Sequence, residues 1–203
     1  MGYILLILIV VMISYYAFKD RQNNETLDLL PEQFVVFDLE TTGLDAKKHE
    51  IIELAAMRVS REYSVPVTFQ TLVKPQTSIQ KAIVDQTGIT QEMLDHDAEV
   101  LADALERFRE FVGDARLVSF DAKFKKAFLN AATARCQMAP LNNRMSCALK
   151  MAHRAWPNRK SYRLADIAKD ENVEVDGEHR VLENCRRILA VYDAAAFKLK
   201  SVR

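Results

Sequence analysis

The chain has 203 residues, 49% of them apolar, with only five glycines and five prolines. This composition excludes a disordered or low-complexity chain, and the length predicts one domain with an appendage or at most two small domains. The 28 basic and 28 acidic side chains give a net charge of zero, so the overall charge predicts no particular partner.

The first 18 residues, MGYILLILIVVMISYYAF, carry no charged side chain. As a helix they would extend about 25–27 Å, the short end of a bilayer span. A cleaved signal peptide is the rival interpretation, but the basic start and the A-x-A-like cleavage site are missing. We predict a single-pass transmembrane helix at 1–18 and a polar tether at 19–32. Lys19 and Arg21 follow the span, which predicts an inner-membrane protein with its soluble domain on the cytoplasmic side.

Residues 33–203 are predicted to form a single α/β domain, in which strand patterns precede helix patterns. Strands are predicted at 34–40, 50–60, 67–75 and 116–120. Helical segments are predicted from 88 onward and at 98–112, 122–135, 146–156, 163–171 and 179–199. Three strands, then helices, then one strand and more helices fit a mixed β-sheet flanked by helices.

The three cysteines, Cys136, Cys147 and Cys185, form neither a CxxC pair nor an even disulfide framework. We therefore expect buried free thiols in a reducing compartment rather than disulfides or a zinc site. This expectation agrees with a cytoplasmic domain.

Residues 122–165, here termed the basic segment, hold ten lysines and arginines and no acidic residue. This segregation in a neutral chain, with His153, Trp156 and Tyr162 interleaved, is typical of a surface that follows a phosphate backbone and stacks bases. A solvated helix face and a surface for anionic lipid are the alternatives. The expected nucleic-acid contacts are Lys123, Lys126, Arg154, Arg159, Lys160 and Arg163.

Asp38 and Glu40 lie one residue apart in the first predicted strand. Side chains alternate along a strand, so both carboxylates share one face, with Cα atoms about 6.6 Å apart. Such a pair can share a divalent cation through its oxygen atoms. Two solvated charges on an edge strand are the simpler explanation of a lone Asp-x-Glu pair.

The segment FVVFDLETTGLD at 34–45, followed by EIIELAAMRV at 50–59, resembles the first motif of the DEDDh 3′→5′ exonucleases. That superfamily includes the proofreading epsilon subunit of bacterial DNA polymerase and ribonuclease T. Segments that resemble later parts of the family occur, in the same order, at 87–94, 117–130, 151–168 and 179–185. The resemblance covers about residues 33–195 and implies a ribonuclease H-like fold.

In this family four carboxylates bind two divalent metal ions, Mg²⁺ or Mn²⁺, and a histidine accepts the proton of the attacking water. The resemblance implies that Asp38 and Glu40 are metal ligands and that His179 is the general base. It also implies that Thr41 and Thr42, in the turn after the first strand, contact the nucleic acid. The implied substrate is the 3′ end of single-stranded DNA or RNA.

Two of the four metal-binding aspartates of the family are missing. Lys125 occupies the aspartate position of the second motif, and Asn184 occupies the last position of the third. An alignment shifted by four residues would use Asp121 instead, but it leaves two residues rather than six between Val118 and the aspartate. Asp121 therefore remains only an alternative, substitute ligand.

Lys125 is predicted to project toward Asp38 or Glu40 and to form an ion pair where a metal ion would lie; an exposed Lys125 is the alternative. The formal charge of the four positions falls to −1, which disfavours two dications. We therefore predict a membrane-anchored domain that binds nucleic acid but hydrolyses it weakly or not at all, with no metal bound. The alternatives are an active exonuclease that uses Mg²⁺ or Mn²⁺, and a non-catalytic assembly module, which could form a homodimer.

Overall fold

A single β-sheet forms the centre of the domain in a computed structural model that describes residues 31–60, 65–171 and 180–201. The strands are β1 (Gln33–Thr41), β2 (Ile51–Ser60), β3 (Val67–Leu72), β4 (Arg116–Ser119) and β5 (Met145–Cys147). The strand order in the described residues is β3-β2-β1-β4-β5. The strand β2 pairs antiparallel with β1 and β3, and β4 pairs parallel with β1 and β5.

Local capping signals mark some of the helix boundaries. Thr90 accepts a hydrogen bond from the backbone N–H of Met93 at the start of the second helix, and Gly88, with φ 73°, ends the first. The helices are α1 (Lys81–Thr87), α2 (Gln91–His96), α3 (Leu101–Val112), α4 (Ala122–Arg135), α5 (Ala148–Ala155), α6 (Leu164–Asp170) and α7 (Arg180–Ser201).

The two faces of the sheet bury different helices. On one face Phe37 packs against Phe108 of α3 with ring centroids 5.9 Å apart, in a core that also includes Phe128 of α4. On the other face Phe34 lies 5.9 Å from Tyr192 of α7, centroid to centroid. Because side chains alternate along β1, the face that carries Phe34 also carries Asp38 and Glu40.

The predicted mixed α/β sheet flanked by helices is confirmed, with two differences in the elements. Residues 146–147, predicted as helix, belong to the short strand β5, in which Ser146 pairs with Val118 of β4. A strand of three residues is too short to show an alternating pattern, so only its pairing with β4 identifies it. The sequence pattern also did not predict helix α1.

The predicted membrane span at 1–18 lies outside the described residues, as does the predicted tether except for Pro31 and Glu32. Within the described ranges, no helix has both the length and the apolar character that crossing a bilayer requires.

The hydroxyl of Ser119, at the end of β4, is fully buried and has no hydrogen-bond partner among the described residues. An unpaired buried polar group costs about 1–3 kcal/mol. We expect Ser119→Ala to raise the free energy of unfolding by about 1 kcal/mol, measured by urea denaturation of the full chain. The matched control is Ser146→Ala, which removes a hydroxyl 3.5 Å from Arg116 Nη1 and should not stabilise the protein. A clear loss of stability in Ser119→Ala would contradict this prediction.

Candidate active site

The end of β1 carries two carboxylates, those of Asp38 and Glu40. Asp38 pairs with Ala55 and Glu40 pairs with Glu53 in the antiparallel ladder, and the register shifts between Glu40 and Thr41. Asp38 is buried at 5% exposure, whereas Glu40 is half-buried. A buried carboxylate requires a charged or hydrogen-bonding partner, and the surrounding helices supply it.

Lys125, on the first turns of α4, forms the predicted ion pair. Its Nζ lies 2.6 Å from Asp38 Oδ1 and also donates a hydrogen bond of 2.7 Å to the carbonyl oxygen of Leu39. The side chains of Lys125 and Asp38 are only 13% and 8% exposed. The alternative of an exposed Lys125 is therefore wrong, because the ammonium points into the sheet.

Asn184, on α7, contacts the second oxygen of the same carboxylate. Its Nδ2 donates a hydrogen bond of 3.1 Å to Asp38 Oδ2. Arg187 Nη1 lies 3.4 Å from Asn184 Oδ1 and also forms an ion pair with Glu183, one helical turn before it. Both oxygens of Asp38 are thus engaged by nitrogen donors, one from α4 and one from α7.

Asp121 has a local role at the start of α4. Its Oδ1 accepts a hydrogen bond of 3.2 Å from the backbone N–H of Phe124, and its side chain is exposed. Among the described residues, no group of three or more His, Cys, Asp or Glu side chains is arranged to hold a metal ion. The replacement of the missing ligand by Asp121 stays a prediction. His179, the predicted general base, lies outside the described residues.

The polar side chains at the end of β1 and in the following turn form hydrogen bonds to neighbouring residues of the chain. Thr41 Oγ1 donates a hydrogen bond of 2.7 Å to Gly43 O, and Thr42 Oγ1 accepts one of 3.0 Å from the backbone N–H of Glu50. Thr42 Oγ1 also lies 3.3 Å from Nδ1 of His49. The ring of His49 covers Gly43 so closely that an added Cβ would lie 2.6 Å from it. Sequence reasoning missed His49; the one signal was a histidine just before β2.

Most side chains expected to contact nucleic acid are exposed. The strands β1, β4 and β5 are parallel, so their carboxyl ends, and the helices α4 and α5 that follow β4 and β5, lie at one edge of the sheet. This edge also carries Asp38 and Glu40. The exposed basic side chains on these helices and on the following turn include Lys123, Lys126, Lys150, Arg154, Lys160 and Arg163.

Arg159 differs from the other basic residues. Its guanidinium donates hydrogen bonds to the carbonyl oxygens of Ser161 and Asp166, at 2.8 and 2.9 Å, and forms an ion pair with Asp170. It also lies over the ring of Trp156. These contacts show that Arg159 organises the turn between α5 and α6.

All three cysteines are free thiols, but the predicted burial holds only for Cys185, since Cys136 and Cys147 are half-buried. Cys185 of α7 is fully buried, with its Sγ 3.7 Å from the carbonyl oxygen of Ala55. Burial raises the pKa of this thiol well above its usual value, and the negative charge of Asp38 raises it further. Cys185 is therefore a packing residue beside the carboxylate rather than a nucleophile.

Comparisons with known proteins identify the family. The RNase_T exonuclease family model matches residues 35–192. The DNA polymerase III subunit epsilon of Aquifex aeolicus is 38% identical over 157 residues, which cover 77% of this chain and 77% of that protein. The chain belongs to the exonuclease family, within the DEDDh 3′→5′ exonuclease superfamily, whose members use divalent metal ions.

A second group of relatives is much longer than this chain. The PolC-type DNA polymerase III of Halalkalibacterium halodurans is 34% identical over 174 residues, which cover 86% of this chain but only 11% of that protein. The chain therefore spans about a tenth of the length of those polymerases.

Solved exonuclease structures share the fold. Exonuclease X in complex with 5′-overhanging duplex DNA has a TM-score of 0.64 and 21% identity, over 83% of this chain and 93% of that chain. Exonuclease I of E. coli in complex with a dT13 oligonucleotide has a TM-score of 0.72 and 19% identity, over 84% and 42%. The nuclease domain of 3′hExo bound to rAMP has a TM-score of 0.66 and 17% identity, over 84% and 92%.

The described residues do not fit the pair of metal ions that the family uses. Hard dications need several carboxylate oxygens free to coordinate them, whereas both oxygens of Asp38 accept from nitrogen donors. The ammonium of Lys125 already lies where a cation would neutralise Asp38. The amide of Asn184 directs its N–H₂ group, which cannot bind a metal ion, toward the carboxylate.

Proposed function

We propose that this protein is a membrane-tethered exonuclease-family domain that binds single-stranded nucleic acid and hydrolyses phosphodiester bonds weakly or not at all. The observation that carries the proposal is the 2.6 Å ion pair between Lys125 and Asp38, with Asn184 on the second carboxylate oxygen. The retained fold supports binding, and the altered charge of the site supports the loss of hydrolysis.

The loss of hydrolysis follows from electrostatics. A unit positive charge about 4 Å from a dication is disfavoured by about 8 kcal/mol at an effective dielectric constant near 20. If Lys125 could turn away and escape two thirds of this cost, metal occupancy would still fall about 100-fold. Two-metal catalysis needs both ions at once, so the rate should fall further than the occupancy of either site.

Binding is proposed to use the exposed basic side chains near the carboxyl edge of the sheet. Lys123 and Lys126 lie on the first turns of α4, and Lys150 lies on the first turn of α5. None of these three lysines forms an ion pair within the described part of the chain. They are therefore available to phosphate groups, whose binding weakens steeply as salt is added.

The test is fluorescence anisotropy with an internally labelled single-stranded oligonucleotide and the full chain in neutral detergent. We expect the double variant Lys123→Glu with Lys126→Glu to weaken binding at least about tenfold. The slope of log affinity against log salt concentration should fall by the contribution of about two phosphate contacts. The matched control is Lys74→Glu with Lys81→Glu, which makes the same charge change at exposed lysines outside the basic segment. Equal loss in both variants, or no binding by the unmodified chain at low salt, would contradict the proposal.

The second candidate is an active exonuclease that uses Asp38, Glu40 and His179 with Mg²⁺ or Mn²⁺. The identity of 38% to an epsilon subunit over most of both chains favours it. Its signature would be shortening of a labelled strand from the 3′ end that disappears in His179→Ala. A strand that stays intact during prolonged incubation with Mn²⁺ would remove this candidate.

Membrane attachment through residues 1–18 is proposed on the sequence alone. The support is the uncharged apolar stretch together with Lys19 and Arg21 directly after it. This arrangement would hold the domain on the cytoplasmic side of the inner membrane, within reach of nucleic acid in that compartment.

A further inference from the structure

The cluster of Lys125, Asp38 and Asn184 determines which part of a nucleic acid the domain can hold. We infer that the domain binds single strands along their length and does not require a free 3′ end. This inference rests on the proposed nucleic-acid binding and goes beyond it, because the family acts from the 3′ end. The predicted ligand is an internal segment of a single strand, so a circular strand without ends should also bind.

The first step of the argument is that the carboxylate pocket is closed by the protein itself. Asp38 Oδ1 and Oδ2 accept hydrogen bonds from side chains of two different helices, at 2.6 and 3.1 Å. The ammonium of Lys125 is held in place by a second bond, to Leu39 O. A terminal phosphodiester could reach Asp38 only if at least one of these contacts were broken.

The second step concerns charge. A phosphate near the end of β1 would face the carboxylate of Asp38, and the ammonium of Lys125 beside it is already paired with that carboxylate. Because that positive charge is already paired, a strand terminus gains no ion pair from entering the pocket.

The third step is that the accessible positive charges lie outside the pocket. Lys123 and Lys126 are exposed on α4, on a part of the helix surface that faces away from the inward-pointing Lys125, and Lys150 is exposed on α5. Contacts from such lysines go to backbone phosphates, which are the same in the middle of a strand as at its end. Binding through these lysines therefore has no component that depends on a 3′ terminus.

The experiment compares three internally labelled DNA probes of one sequence and length: linear with a 3′-hydroxyl, linear with a 3′-phosphate, and a covalently closed single-stranded circle. The full chain is titrated with each probe in low salt and EDTA, and anisotropy gives the Kd. We expect the three Kd values to agree within about threefold. A circle bound at least about tenfold more weakly than the linear 3′-hydroxyl probe would overturn the inference but leave the proposed function intact. No binding of any probe would instead overturn the proposed function.

A matched variant tests the structural reason. Lys125→Asp with Asn184→Asp, titrated in Ca²⁺, should bind the linear 3′-hydroxyl probe at least about tenfold more tightly than the circle, because the pocket is then open to a cation and a terminus. Equal affinity of this variant for the two probes would overturn the assignment of end-independence to Lys125 and Asn184.

Discussion

Introducing aspartate at positions 125 and 184 together is expected to increase 3′→5′ hydrolysis of single-stranded DNA at least about 100-fold over the unmodified chain. The double variant, Lys125→Asp with Asn184→Asp, would remove the ammonium from Asp38 and place carboxylates at both family positions. The formal charge of the four-residue site would change from −1 to −4, which suits two dications. The measurement is the shortening of a 5′-labelled oligonucleotide by the full chain in Mn²⁺.

Three controls make this prediction specific. Each single variant should recover much less activity than the pair, because one remaining defect still prevents binding of two metal ions. Adding Asp38→Ala to the double variant should abolish the recovered activity. A folded double variant with no gain in rate, or an unmodified chain that is already as active, would contradict the assignment of the defect to these two positions.

Removing the ammonium of Lys125 is expected to lower the free energy of unfolding by about 3–4 kcal/mol. In Lys125→Met the buried carboxylate of Asp38 would lose its only described charged partner, and the carbonyl of Leu39 would lose a hydrogen bond. An uncompensated buried charge is among the most destabilising single changes. Urea or guanidinium denaturation of the full chain measures the loss.

Two further variants separate the ion pair from general effects of losing a lysine. Lys123→Met, at an exposed position of the same helix, should change stability by no more than about 0.5 kcal/mol. Adding Asp38→Asn to Lys125→Met should restore part of the loss, because the unpaired charge is then gone. If Lys125→Met were as stable as Lys123→Met, the ion pair would not stabilise the fold as argued.

The placement of Asp38, Glu40 and Lys125 could be predicted from the sequence because it depends on local patterns. The spacing of Asp38 and Glu40 on an apolar strand fixes their common face, whatever the rest of the chain does. The motif around 117–130 places Lys125 at an aspartate position, and from that the ion pair with Asp38 could be expected. The structure confirms this contact.

The contacts of Asn184 and Arg159 could not be predicted, because no local sequence pattern encodes them. Asn184 was predicted only as a missing ligand, whereas its hydrogen bond to Asp38 depends on how α7 crosses the sheet, 146 residues later in the chain. Arg159 was predicted on charge alone to contact nucleic acid. Its bonds to two backbone carbonyls and to Asp170 are set by the turn between α5 and α6.

The most direct test of the central claim is a crystal structure of the protein grown in excess manganese, with the metal located by anomalous scattering. We predict that Lys125 Nζ stays within hydrogen-bonding distance of Asp38 Oδ1 and that no pair of manganese ions is bound beside Asp38 and Glu40. Two manganese ions coordinated by these carboxylates, with Lys125 displaced from the pocket, would contradict the claim and identify the protein as a functional nuclease.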